Sequence, residues 1–203
     1  MRKDLRNIIK ALKDKGFVVY DQPVFYKDET WDWVLKEYPI TTDTGTYWLL
    51  NPMSSLGTAM LKEGQYIDAY KQGLHRGQYT ALVQQKPVTT YRDYDRNAVF
   101  DLGQKETTGL YGINIHKAGA DSQDVNKWSA GCQVFQKSED FQEFMQLTDK
   151  HKANFGNNYT YTLLDERALA RKGRRFLLYG GMSASIIAVG ISAYFIIKNR
   201  LKK

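Results

Sequence analysis

A thiol and an imidazole lie sixteen residues apart in the middle of this chain. Cys132 is the only cysteine and follows Gly131 in the run KWSAGCQVF (127–135), and His116 ends the run YGINIH (111–116). A thiolate can attack a carbonyl carbon, and a neighbouring imidazole can take the thiol proton and return it to a leaving amine. Gly131 permits a tight turn whose backbone N–H groups would face the developing oxyanion. The pair predicts acyl transfer through a thioester, whereas the plainer alternative is a cysteine that serves as a small buried apolar residue.

The pattern Gly112-x-x-x-His116, followed by Ser129-x-Gly131-Cys132, resembles the catalytic signature of the L,D-transpeptidase (YkuD-like) family. Domains of that family cut or rejoin the peptide stems of bacterial peptidoglycan. The resemblance covers about residues 1 to 165, with its specific motifs between about 73 and 136, and it looks like a divergent branch from bacteriophages and Bacteroidetes-type bacteria. Two positions depart from the family pattern, which usually has histidine at the first and Arg or Asn at the second: Ala130 and Gln133.

The resemblance implies a role for each residue of the motif. Cys132 would attack a stem carbonyl, His116 would accept the thiol proton, and N–H groups around Gly131 and Cys132 would hold the oxyanion. The Ser129 hydroxyl or its backbone carbonyl would orient His116. An amine acceptor gives transpeptidation and water gives carboxypeptidase or endopeptidase cleavage, with hydrolysis slightly favoured. The chemistry implies no cofactor.

Four further residues are candidates for contact with substrate. Trp128 and Asn126 belong to the polar loop between His116 and Cys132 and would form pocket walls, and Tyr111 or His75 would touch substrate. For His75, a surface histidine in a turn between glycines is an equally good interpretation. One cysteine and three scattered histidines do not have the spacing of a zinc site, so no metal is predicted.

Residues 176–197 read FLLYGGMSASIIAVGISAYFII and contain no charged side chain over 22 positions. A helix of that length would reach roughly 33 Å, enough to cross a hydrocarbon core of about 30 Å. The run predicts a single C-terminal transmembrane helix rather than a buried core helix, and no cleavable export signal is visible at the N-terminus. Small residues recur at helical spacing and permit helix-mediated self-association, although ordinary membrane-helix usage explains them as well: Gly180, Gly181, Ala184, Ser185 and Ala188.

The charge of the chain divides at Glu166. The whole chain carries a formal charge of +7, but nine of its 29 Lys and Arg residues lie after Glu166, where no Asp or Glu occurs. Residues 1–166 therefore hold 20 cations against 22 anions. This balance argues against nucleic acid as a partner and for basic flanks that lie among anionic lipid headgroups. Five cations precede the apolar run and four follow it, so the positive-inside rule gives no orientation.

Short β-like runs are predicted at 47–50, 58–61, 80–84, 88–92, 110–116 and 132–135, and Gly and Pro turns separate them. A helical pattern covers 138–151, and a last strand is predicted over 159–164. The predicted fold is mainly β with a few helices (α+β), in keeping with the β-sandwich-like fold of the resembled family, plus the transmembrane helix. Four segments follow: a catalytic domain (1–166), a basic juxtamembrane linker (167–175), the span (176–197) and a basic tail (198–203).

The sequence thus predicts a membrane-anchored cysteine peptidase or transpeptidase acting on peptidoglycan stem peptides. A phage-encoded wall-degrading protein used in infection or lysis fits the branch that it resembles, with the anchor in a virion membrane or the bacterial inner membrane. The alternative is a non-catalytic virion or membrane structural protein that holds cell wall or a capsid partner through the same fold.

Overall fold

The computed structural model describes residues 10, 12, 14–16, 34–101, 105–119, 125, 127–164, 184–189 and 193–198. The described residues include the helices α1 (Thr46–Leu50) and α2 (Ser138–Phe155). The strands follow the order β1 (Val34–Thr41), β2 (Thr58–Leu61), β3 (Gly64–His75), β4 (Tyr79–Gln84), β5 (Val88–Asp93), β6 (Lys105–Gly109), β7 (Ile115–Lys117), β8 (Gln133–Phe135), β9 (Tyr159–Leu164), β10 (Ala184–Val189) and β11 (Ala193–Lys198).

The larger sheet has the order β1-β11-β10-β9-β3-β4-β7-β8 and closes on itself, because β8 also pairs with β1. A second sheet has the order β2-β5-β6. Most neighbouring pairs are antiparallel, but β7 and β8 run parallel, with His116 opposite Val134. His116 therefore lies on the strand next to β8, and Cys132 directly precedes β8.

Both sheets and α2 share one core. Ala59 and Val88 of the small sheet belong to the same buried cluster as Tyr70 of the large sheet and Phe144 of α2. The ring centroids of Phe135 and Phe144 lie 5.0 Å apart, so α2 packs directly on β8. Burial of these large aromatic side chains stabilises the core and holds the strand that follows Cys132 in place.

The mainly β prediction is confirmed, as are the predicted elements at 58–61, 80–84, 88–92, 138–151 and 159–164, with small shifts at their ends. Two predicted strands are wrong. Residues 47–50 lie in helix α1 and not in a strand. The prediction failed because a four-residue apolar run is too short for its periodicity to distinguish a strand from a helix. Of residues 110–116 only the last two belong to β7, since side-chain hydrogen bonds take the place of a strand ladder before them.

The apolar C-terminal run differs from its prediction. Within the predicted helix 176–197, the described residues 184–189 and 193–197 lie in β10 and β11, which pair with each other and with β9 and β1. Ile, Val, Tyr and Phe favour strands, and an uncharged run carries no periodicity that would select a helix. Ala184, Ser185 and Ala188 therefore lie on a strand instead of a helix face, while Gly180 and Gly181 lie outside the described residues. In the part of the chain that the structure describes, no helix has the length and apolar character needed to cross a bilayer.

Candidate active site

The loop that carries Cys132 is held by its own serine. Gly131 has φ +122°, and a Cβ added there would lie 2.4 Å from the Ala59 carbonyl oxygen, so no other residue fits. The Gly131 N–H donates to Ser129 Oγ (3.0 Å), and Ser129 Oγ donates to the Cys132 carbonyl (2.9 Å). One hydroxyl thus closes the turn on both sides of Gly131 and sets Cys132 immediately before β8.

A distant segment clamps the same loop. The buried Ser129 carbonyl accepts hydrogen bonds from the Gly45 N–H (2.8 Å) and the Thr44 hydroxyl (3.4 Å). The Trp48 indole of α1 donates to the Lys127 carbonyl (3.1 Å). Ser129 was expected to orient His116, but both of its oxygens are engaged within this loop and its clamp. Its role in the structure is to shape the turn.

The Cys132 thiol is half-buried and bound by backbone on both sides. Sγ accepts the Asn114 N–H at 3.4 Å and donates to the Gly112 carbonyl at 3.4 Å. Burial raises the pKa of the thiol, and the Asn114 N–H and the Arg76 cation only partly oppose that rise. The resting group is therefore a neutral thiol that needs a base before it can attack.

His116 has the properties of that base. Its side chain is 3% exposed, and Nδ1 donates to the Lys117 carbonyl at 2.8 Å. That bond fixes the proton on Nδ1 and leaves Nε2 as a lone pair, for which the described residues offer no hydrogen-bond partner. Burial lowers the pKa of His116 to about 4, with smaller contributions from His75 and Arg76. At neutral pH this imidazole is uncharged, so the Nε2 lone pair is available, and burial makes it a weaker base than a free imidazole.

Sheet geometry brings the predicted pair together. Ile115 is opposite Gln133 and His116 is opposite Val134 on the parallel strands β7 and β8, so Cys132 lies one strand across and two residues back from His116. If the strand geometry continued to Cys132, strand spacing and rise would put the two Cα atoms roughly 8 Å apart. The structure therefore juxtaposes the two residues, and the thiol hydrogen in the resting state points to the Gly112 carbonyl.

The predicted substrate contacts have different positions. Trp128 is 41% exposed and packs on Gly119, where an added Cβ would lie 2.2 Å from two ring atoms; it borders the segment that leaves β7. Tyr111 is half-buried, with its ring face 4.2 Å from the Arg92 guanidinium carbon. Asn126 lies outside the described residues.

His75 is not the surface histidine that the alternative interpretation expected. It is 6% exposed, at the end of β3, and its ring stacks on His116 with centroids 4.1 Å apart and an interplanar angle of 22°. A side chain in this position touches the predicted base, so it belongs to the site without lining its surface.

Sequence reasoning missed the residue that builds the approach to the thiol. Gln84 Oε1 accepts the N–H groups of Tyr111 and Ile113, both at 3.0 Å, and its Nε2 donates to the Gly109 carbonyl at 2.8 Å. One amide thereby holds the irregular segment 109–113, including the carbonyl that receives the thiol proton. Nothing in the sequence distinguishes this glutamine from an ordinary strand residue.

Among the described residues no group of three His, Cys, Asp or Glu could hold a metal ion. No protein-family model, curated protein or solved structure matches this chain. Its residues and their geometry are therefore the basis of the function proposed below.

The histidines predict how stability depends on pH. Burial lowers the pKa of all three, that of His116 to about 4 and those of His75 and His151 in the same direction. Below pH about 6.5 the unfolded chain binds protons that the folded chain excludes, so stability is present at neutral pH and is lost as the pH falls. His116 alone should remove roughly 3 kcal/mol by pH 4.

Urea unfolding at pH 8, 6 and 4 measures this loss, and His116→Gln, which cannot titrate, should show a smaller one. Equal pH dependence in the two proteins would contradict the assignment to His116.

Proposed function

We propose that this protein is a cysteine acyl-transfer enzyme, similar to L,D-transpeptidases, that acts on the peptide stems of peptidoglycan. The observation that carries the proposal is the hydrogen bond from His116 Nδ1 to the Lys117 carbonyl. This bond leaves His116 Nε2 unprotonated, without a hydrogen-bond partner among the described residues, and on the strand next to the one that follows Cys132. An acyl-transfer pair needs a third group that orients the base, and a backbone carbonyl supplies it here.

In the proposed reaction His116 Nε2 takes the proton of Cys132 Sγ, and the thiolate attacks a stem carbonyl carbon. The tetrahedral intermediate collapses as its C–N bond breaks, and the Nε2 proton passes to the leaving amine, which leaves a thioester on Sγ. Water or an acceptor amine then attacks the thioester and gives up a proton to Nε2, releasing the acyl group and restoring the thiol. Hydrolysis is the favoured outcome for a protein used in infection or lysis.

The oxyanion donor is the Cys132 N–H in this proposal. The Gly131 N–H, which the sequence also suggested, is engaged by Ser129 Oγ, whereas no hydrogen bond among the described residues uses the Cys132 N–H. A donor on the nucleophile's own residue lies close to the carbon that the sulfur attacks. Trp128 and Tyr111 are proposed to border the stem peptide.

The test is incubation of the purified full chain, in detergent, with peptidoglycan, followed by mass spectrometry of the stem peptides. The proposal expects stems that are shortened or re-linked, and no change with Cys132→Ala. Intact stems after incubation with the unaltered protein would overturn it, and the masses of the products distinguish hydrolysis from transfer.

One observation favours the second candidate, a protein that binds wall without turnover. The resting thiol has a raised pKa and donates to Gly112 instead of to His116 Nε2. For that candidate the same incubation would retain protein on sedimented peptidoglycan while every stem stays intact.

We further propose that the apolar run 176–197 attaches the protein to a membrane, with the flanking cations among lipid headgroups. Twenty-two uncharged residues are long enough to span as a helix, and a helix satisfies its backbone internally in lipid. Insertion would then exchange the pairing of β10 and β11 for helical hydrogen bonds.

The full chain should float with phospholipid vesicles in a density gradient at high salt, and polarised infrared spectra of a 174–203 peptide in bilayers should show a transmembrane helix. Release by salt, or a strand spectrum, would contradict a spanning helix.

A further inference from the structure

A second imidazole is built into the site against His116. The rings of His75 and His116 are nearly parallel, with centroids 4.1 Å apart, and both side chains are buried. On the same hairpin the Tyr79 ring centroid lies 5.6 Å from that of His75. His116 is therefore held at one edge by the Lys117 carbonyl and across one face by His75.

Asn114 determines which tautomer His75 adopts. Its Oδ1 accepts the Gln84 N–H at 2.9 Å, so its Nδ2 is the atom that faces His75 Nδ1, at 3.1 Å. An amide NH₂ can only donate, and so His75 Nδ1 must be a bare acceptor. Protonation of Nδ1 would set two donors against each other, and the neutral ring with its proton on Nε2 is the form that fits.

The same asparagine contacts the nucleophile. The Asn114 N–H donates to Cys132 Sγ at 3.4 Å, and the Asn114 carbonyl accepts the Gln133 N–H at 2.9 Å. One residue thus links the thiol, the strand after it and the second imidazole. Asn114 therefore couples the position of His75 to that of Cys132.

Neutrality of His75 matters at the step in which His116 becomes a cation. The face of an uncharged aromatic ring attracts a cation, whereas a second imidazolium 4.1 Å away would repel it. The ionisable groups around His75 reinforce this state, since none is an anion at rest: Arg76 beside it on the turn, Tyr79 on β4, His116 and Lys117 on β7, and Cys132 before β8.

We propose that His75 is a positioning residue of this site. Asn114 keeps His75 uncharged, and the face of the His75 ring supports His116 while His116 takes the thiol proton. The proposal rests on the function proposed above and assigns His75 a role that requires its ring and none of its protons. Contact with substrate, the role the sequence suggested, is not part of it.

Three variants of the full chain separate the parts of this role. His75→Phe keeps a ring that cannot charge but leaves the Asn114 amide without its acceptor, so Cys132 alkylation by iodoacetamide should slow by a smaller factor than in His75→Ala. His75→Ala removes the ring and should slow alkylation about tenfold or more. Asn114→Asp keeps the shape and the Gln84 contact but offers an anion to His75, which stabilises its charged form.

The Asn114→Asp variant should therefore be about tenfold slower at pH 6 and recover as the pH rises and His75 loses its added proton. Nitrogen NMR of the imidazoles supplies a second measurement, which does not depend on the stability of the variant. His75 Nδ1 should be unprotonated in the unaltered protein at pH 7 and protonated in Asn114→Asp. Circular dichroism of each variant identifies any that fails to fold.

Alkylation as slow in His75→Phe as in His75→Ala would overturn the proposal, because the nitrogens would then be needed. A protonated His75 Nδ1 in the unaltered protein would overturn it too. If His116→Ala slows alkylation while His75→Ala does not, only this inference fails. If His75→Ala slows alkylation but stems stay intact in the unaltered protein, only the proposed function fails.

Discussion

Gly131→Ala should cost the folded state about 3 kcal/mol and displace the thiol. Left-handed backbone costs an L-residue about 1–2 kcal/mol, and crowding in a packed site adds about 1–3 kcal/mol. Both apply at Gly131, where φ is +122° and an added Cβ would lie 2.4 Å from the Ala59 carbonyl oxygen. The turn that Ser129 closes would have to open to relieve that clash.

Gly77→Ala is the matched control, since Gly77 also has positive φ (+71°) but an added Cβ would meet nothing within 4 Å. It should cost only about 1 kcal/mol, the backbone part alone. Urea unfolding measures both losses, and the alkylation rate of Cys132 shows whether the thiol has moved. Equal destabilisation in the two variants would mean that contact with Ala59 does not constrain the loop.

His116→Ala should slow turnover of stem peptides about 10²- to 10⁴-fold, the range expected when a general base is removed. The resting thiol is neutral because burial raises its pKa, so without Nε2 it depends on hydroxide or solvent to lose its proton. The loss should shrink as the pH rises toward the pKa of the thiol. Product release from peptidoglycan, followed by mass spectrometry between pH 6 and 9, measures both effects.

Tyr79→Phe is the control for this prediction. The Tyr79 hydroxyl lies 3.5 Å from His116 Nδ1 and donates to the Lys117 carbonyl at 3.3 Å, but the 2.8 Å bond from Nδ1 to that carbonyl remains without it. Its removal should slow turnover less than about tenfold, the worth of one hydrogen bond. A loss as large as that of His116→Ala would show that the hydroxyl takes part in the chemistry.

The sequence predicted that the residues of the motif lie close together better than it predicted their contacts. Cys132, His116, Ser129 and Gly131 stand in one compact pattern, and the structure places His116 on β7 and the others in the loop before β8. Ser129 nevertheless shapes the loop, and the group that orients His116 is the carbonyl of Lys117. A backbone carbonyl is present at every residue, so no side-chain pattern could single this one out.

Gln84 and Asn114 were beyond sequence reasoning for a related reason. Each has a side-chain amide whose contacts in this region lie 25 to 39 residues away in sequence, and those contacts exist only once β3, β4 and β7 are paired. Glutamine and asparagine in strand-like runs carry no sign of such partners. The sequence located β2, β4, β5 and β9 well because Gly or Pro lies close to the start of each run, whereas β1, β3 and β6 were not predicted.

The hydrogen bonds that hold the Ser129 carbonyl have a consequence for how the protein folds. The Gly45 N–H reaches the Ser129 carbonyl across 84 residues of chain, and the β1–β8 pairing that supports it joins Ile40 to Phe135. Contacts between such distant segments form late, because loop closure costs entropy before the contacts repay it. During synthesis and folding Cys132 is thus an ordinary cysteine of a flexible loop. The arrangement around Cys132 is complete only when β1 and β8 have paired, so under the proposed function a half-made chain would carry no working nucleophile.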